Sequence, residues 1–184
     1  MANIAHAARI EPLAGRAGGG AGVALAPAAP ASRVSLRVGS ADTKALSQAL
    51  GLELPMSPKT SARNGHGRLA AWLGPDEWLI IDEAGDPLVD LGKADVLHSA
   101  VDISHRNTGI LVTGIGARAT LESGCPQNLS DRAFPVGSAT RTVMGKIEVV
   151  ILRTGENEFR VECWRSFSDY AFGMLSEAAK DCLA

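Results

Sequence analysis

Residues 147 to 163 read Ile-Glu-Val-Val-Ile-Leu-Arg-Thr-Gly-Glu-Asn-Glu-Phe-Arg-Val-Glu-Cys, and this stretch decides the fold class. Ile147, Val149 and Ile151, then Phe159, Val161 and Cys163, recur at the period of two that a half-buried strand requires. Between them, Thr154-Gly155-Glu156-Asn157 is turn chemistry, so the two runs predict an antiparallel hairpin. A second hairpin is predicted where Leu69 to Leu73 and Trp78 to Ile81 flank Gly74-Pro75-Asp76-Glu77.

Working outward, Val34, Leu36 and Val38 alternate with Arg33, Ser35 and Arg37 as a strand with one buried face. Val101 with Ile103, and Ile110 to Val112, read as two more strands. Helices intervene. Leu46, Ala49 and Leu50 sit at helical spacing, with Ser40 or Asp42 as cap and Gly51 at the exit. Asp86-Pro87 starts a second helix through Leu88, Leu91 and Val96 that ends near His98. Ala117 to Ser123 forms a third, stopped by Gly124 and Pro126. Ser166 and Asp169 have capping-box spacing ahead of a last helix with an apolar stripe of Ala171, Met174, Leu175, Ala178 and Cys182. Recurrent hairpins among helices predict an α+β fold with a mostly antiparallel sheet and helices packed on it. A strand-helix-strand-strand-helix order echoes in both halves.

The 184 residues suffice for one domain. Residues 1–32, rich in Ala, Gly and Pro, predict a flexible arm, and residues 33–184 a single domain. Pro55, Pro58, Asn64, Gly65 and Gly67 mark residues 54–67 as a surface loop that orders against a partner. A net charge of −2 gives no reason to expect nucleic acid or an anionic membrane as partner. No apolar run has the length of a membrane span, and the Gly15 to Ala31 run lacks the leucines of a secretory signal, so a cytoplasmic protein is expected. Cys125, Cys163 and Cys182 are odd in number and lack metal-ligand spacing, so they read as reduced thiols.

Asp102, Ser104 and His105 are too close on an extended segment to assemble a hydrolytic triad; Asp102 and Ser104 read instead as turn caps. Gly114-Ile115-Gly116, with Ala119 at the third position of a dinucleotide fingerprint, reads as a strand-to-helix turn. His6, His66, His98 and His105 show no zinc spacing, so no metal site and no catalytic residue is assigned. Only eight residues are aromatic, and Trp72 and Trp78 flank a hairpin as core candidates. Trp164 beside Arg165, together with Arg106 and Arg141, has the residue types that anchor protein interfaces.

Val101-Asp102-Ile103-Ser104-His105-Arg106-Asn107, continued through Leu111-Val112-Thr113-Gly114 to Leu121-Glu122-Ser123-Gly124-Cys125-Pro126-Gln127-Asn128-Leu129, resembles the gamma subunit of heterotetrameric sarcosine oxidase. Leu73 to Leu79, Phe134-Pro135-Val136-Gly137, Thr140-Arg141-Thr142 and Arg165-Ser166-Phe167 match in order, and the resemblance runs from Arg33 to the C-terminus. The Asp-x-Ser-His segment also looks like a trimmed relative of the folate-binding domain of glycine-cleavage T-protein, about half its length, which implies a T-protein-like fold. At the position where that family carries an acid for the pterin, this chain has Arg160, a cation that cannot accept the pterin's N–H donors.

The resemblance implies an accessory subunit whose partners are alpha, beta and delta subunits, with FAD, FMN, NAD and tetrahydrofolate on other subunits, the flavin and nicotinamide sites in alpha and beta, and no cofactor on this chain. The implied complex demethylates sarcosine to glycine, with oxygen reduced to hydrogen peroxide and the carbon passed to tetrahydrofolate. Residues 54–67, Arg106, Arg141, Trp164 and Arg165 are the interface candidates. The alternative is a stand-alone folate-binding or aminomethyl-transfer protein with Asp102 as its acid.

Overall fold

The computed structural model describes residues 11–182. Its strands in chain order are β1 (Gly18–Gly20), β2 (Val23–Pro27), β3 (Ser32–Val38), β4 (Ser61–Arg63), β5 (Leu69–Gly74), β6 (Glu77–Asp82), β7 (His98–Asp102), β8 (Asn107–Thr113), β9 (Ala139–Met144), β10 (Ile147–Gly155) and β11 (Glu158–Trp164). The helices are α1 (Thr43–Leu50), α2 (Pro87–Leu91), α3 (Ala117–Glu122) and α4 (Ser168–Asp181), the last entered through a 3-10 turn at Arg165–Phe167.

The strands form two sheets, ordered β1-β2-β8-β11-β10-β9 and β4-β5-β6-β3-β7. All pairing within them is antiparallel. Both predicted hairpins are present, in register Ile151↔Val161 for one and Ala71↔Leu79 for the other. Three apolar layers follow from the alternation along each strand. Val34, Leu36, Val38 and Ile80 pack under Leu46 and Leu50 of α1 and Leu91 of α2. Val112, Ile151, Val161 and Cys163 pack under Leu121 of α3 and Ala171 and Leu175 of α4. Between the sheets lie Leu69, Ala71, Leu79 and Ile81 on one side and Ala139, Val150 and Leu152 on the other. The stack is therefore helix, sheet, sheet, helix.

The echo between halves is a structural repeat. β3-α1-β4-β5-β6-α2 and β8-α3-β9-β10-β11-α4 lay their strands down in the same order within their sheets. Each half also lends a strand to the other: β2 pairs with β8, and β7 pairs with β3.

Four expectations need correction. The arm assigned to residues 1–32 is partly structured: Leu13 is fully buried, Val23 and Leu25 join the core, and β1 and β2 extend a sheet. Residues 1–10 lie outside the described residues. Glycine is what lets β1 sit there, since a Cβ on Gly20 would stand 2.3 Å from the Ala179 carbonyl oxygen of α4. The loop at residues 54–67 orders on its own chain: Leu54 is buried, Trp78 Nε1 donates to the Pro55 carbonyl at 2.7 Å, and β4 pairs with β5.

The second helix starts as predicted, with Asp86 accepting from the Leu88 N–H at 2.9 Å, but ends at Leu91. Val96 lies in the connection, and His98 opens β7. The capping box does not form, because the Arg165–Phe167 turn takes up Ser166, and Ser168 donates to the Arg165 carbonyl instead. β9 was not legible as a strand. Its Thr140 and Thr142 interrupt the apolar alternation, and pairing with β10 supplies what the local pattern lacks.

Leu25→Ala will test the corrected N-terminal segment. Truncating this 2 % exposed side chain is expected to cost about 2–5 kcal/mol in urea denaturation, against essentially nothing for a flexible arm.

Candidate functional site

The space between the sheets has a closed middle and two open ends. A chain of charges crosses the middle. Arg33 of β3 donates to Glu162 of β11 through Nε at 2.6 Å and Nη2 at 3.2 Å, with its Nη1 on the Ala31 carbonyl. Arg160 donates through Nε to the same carboxylate at 2.7 Å and through Nη1 to Glu83 at 2.6 Å. Arg33 and Glu162 side chains are 1 % and 0 % exposed. Burial by itself pulls the Arg160 guanidinium down, but the Glu162 charge and the bonds to Glu162 and Glu83 outweigh it, leaving its pKa above the ordinary arginine value. Gly109 of β8 makes room for the chain, since a Cβ there would meet Glu162 Oε1 at 2.6 Å. Next to it, burial first and the Glu162 charge second push the Cys163 thiol up to about 12.

The first open end is a cleft of about 180 Å³ among Glu77, Ile103, Arg106, Arg141, Glu148 and Trp164. The β7–β8 turn shapes it. Asp102 accepts from the Ser104 N–H at 2.8 Å and caps the turn as the sequence predicted, whereas Ser104 Oγ accepts from the Arg33 N–H at 2.8 Å and ties the turn to β3. His105 is exposed and no triad assembles. Arg106 lies over the Trp164 ring at 5.4 Å, and Trp164 stacks on Phe167 with centroids 5.9 Å apart. Arg141 pairs with Glu77, which also accepts from Arg37 at 2.9 Å.

Three of the four interface candidates, Arg106, Arg141 and Trp164, thus line one cleft. Arg165 stands behind them, its backbone N–H on the Arg106 carbonyl at 2.6 Å. Phe167 and Tyr170 escaped the sequence reading: at 39 % and 43 % exposure they join Trp164, at 42 %, around the junction of β11 and α4. The signal for them was composition, since three of only eight aromatics sit within seven residues. Trp78, by contrast, is fully buried and Trp72 partly so, as core residues.

The second open end, about 210 Å³, lies at the opposite ends of the same strands, among Arg63, Leu69, Glu83, Leu111, Glu158 and Arg160. Gly114 and Gly116 make the strand-to-helix turn expected of them, with φ of +114° at Gly114 and a would-be Cβ 2.2 Å from the Gly22 carbonyl oxygen. Among the described residues no group of three His, Cys, Asp or Glu could hold a metal ion. None of the described helices is long and apolar enough to cross a membrane.

Comparison with known proteins gives a consistent picture. Residues 37–181 match the model of the sarcosine oxidase, gamma subunit family. Sarcosine oxidase subunit gamma of Corynebacterium sp. strain P-1 is 33 % identical over 164 residues, covering 86 % of this chain and 81 % of the relative. The protein of the same name from an Arthrobacter species is 33 % identical over 163 residues, covering 85 % and 79 %. Among solved structures, heterotetrameric sarcosine oxidase from Corynebacterium sp. U-96 in complex with pyrrole 2-carboxylate matches with a TM-score of 0.82 at 29 % identity, covering 90 % of this chain and 89 % of that one. The glycine cleavage system aminomethyltransferase T from Bartonella henselae shares the fold, with a TM-score of 0.60 at 15 % identity over 90 % of this chain and 47 % of the other. The expected α+β, T-protein-like fold is thus the observed one.

Glu162→Ala would leave two buried guanidinium groups facing each other, with an expected loss of about 3–5 kcal/mol in chemical denaturation. The Cys163 thiol, buried and held protonated near neutral pH, is expected to escape alkylation in the native chain and to react once the chain is unfolded, as peptide mass mapping would show.

Proposed function

The chain belongs to the sarcosine oxidase gamma subunit family, and on that premise we propose that it is the accessory subunit of a heterotetrameric sarcosine oxidase. Its partners in this reading are the alpha, beta and delta subunits; FAD, FMN, NAD and tetrahydrofolate sit on other subunits than this one, the flavins and nicotinamide on alpha and beta. The complex oxidises the N-methyl group of sarcosine, releasing glycine. Oxygen takes the two electrons to become hydrogen peroxide, and tetrahydrofolate takes the carbon as 5,10-methylenetetrahydrofolate. The chain itself contributes a folded docking module and no catalytic residue, and works in the cytoplasm without nucleic acid or membrane.

One observation carries the docking role: the exposed stack of Arg106, Trp164 and Phe167 at the mouth of the first cleft. Large rings are normally buried, and here the core has taken Trp78, Phe134, Phe159 and Phe172 while leaving Trp164, Phe167 and Tyr170 outside. Aromatic rings backed by arginine form the anchors of protein interfaces, because they bury much apolar area at little entropic cost. Arg106 and Trp164 are the central contacts in this reading, with Arg165 at the rim. Arg141 is secondary, since Glu77 already satisfies it.

Tagging the chain in its native cell and recording the flavin absorbance and sarcosine-dependent peroxide production of the eluate tests the assignment. A colourless eluate containing this chain alone would sink it. Trp164→Ala is expected to weaken assembly by at least about tenfold, as for an interface anchor, while Arg141→Ala changes it by less. Undiminished assembly of the Trp164 variant would remove the stack from the interface.

A further inference from the structure

We propose that the second open end of the inter-sheet space binds a small α-amino acid as its zwitterion. Three observations converge there. Arg160 has a side chain only 8 % exposed, and its Nε and Nη1 are engaged by Glu162 and Glu83. Its Nη2 is buried and donates to nothing among the described residues. Buried guanidinium donors are almost always satisfied, and none of the described residues accepts from this one, so it is a donor in want of an acceptor.

The cavity that Arg160 lines, about 210 Å³, is several times the roughly 30 Å³ share of one water. Its charges are matched in pairs. Arg63 and Arg160 face Glu83 and Glu158, and among the described residues Arg63 and Glu158 form no ion pair. A bare carboxylate or a bare ammonium would meet an unfavourable charge on the opposite wall. An occupant with both groups on one carbon meets neither: its carboxylate accepts from Arg63 and, once the guanidinium turns its buried Nη2 toward the cavity, from Arg160, and its ammonium donates to Glu158. Leu69, Ile81 and Leu111 offer an apolar wall for a small side chain. This site lies away from the Trp164 cleft and does not depend on the docking role.

Isothermal titration of the full chain with glycine, L-alanine and L-proline, against acetate and methylammonium, tests the proposal. At least one amino acid is expected to bind saturably, and neither half-ligand to do so at the same concentration. Arg63→Gln, at an exposed residue without an ion pair, is expected to weaken that binding by about fivefold or more and to leave the melting temperature unchanged. The proposal is overturned if none of the three amino acids binds, if acetate binds as well as they do, or if Arg63→Gln has no effect. A crystal structure grown with the amino acids that shows Arg160 Nη2 donating to water alone would overturn it equally.

Discussion

Glu162 cannot be buried alone. A carboxylate sealed between two sheets is tolerable only if cations meet it at hydrogen-bond distance, and Arg33 and Arg160 do so. Arg33 lies 129 residues from Glu162 in sequence, on a central strand of the other sheet, so this pairing fixes how the sheets face each other. Several other features follow from it. Gly109 is a glycine because Glu162 occupies the place of its side chain, and the charge of that carboxylate adds to burial in keeping Cys163 a protonated thiol. Because the charges span the middle, the inter-sheet space is divided into two separate openings with different walls.

Local physics explains what could be read beforehand. The hairpins at Thr154–Asn157 and Gly74–Glu77, the αL exit of α1 at Gly51 and the proline-started α2 each depend on a few adjacent residues, and these announce themselves. Arg33 did not. In a strand read alone, alternating arginine and serine mark the wet face, and only a partner far along the chain turns that face inward. β1 and β2 were hidden for a related reason: a run of glycine and alanine has no intrinsic claim to order, and here it is held by the edge of β8 and by the close approach of α4. β9 likewise takes its conformation from β10.

The candidate site divides along the same line. Residue type alone nominated Arg106, Arg141 and Trp164, and folding brings the three to one cleft. Type said nothing about which of them is already satisfied, and the pairing of Arg141 with Glu77 reorders them. Arg160 was visible only as a charge of the wrong sign for a pterin. Its geometry shows a different thing, two nitrogens engaged by internal carboxylates and one left over, which depends on strand register and on Glu83 arriving from just past the end of β6 in the other sheet.

The loan of β2 to β8 and of β7 to β3 governs the order in which the chain can become structured. As the chain leaves the ribosome, the first half emerges with the edge of β3 uncovered, and only the synthesis of β7 caps it. β2 in turn waits for β8, more than 80 residues later. Neither half completes a sheet from its own strands, so the loop-closure entropy of these distant pairings must be met before their contacts accumulate. Slow, all-or-none folding is the natural outcome, and cutting the chain between α2 and β7 would leave each fragment with an exposed strand edge, the surface on which aggregation starts.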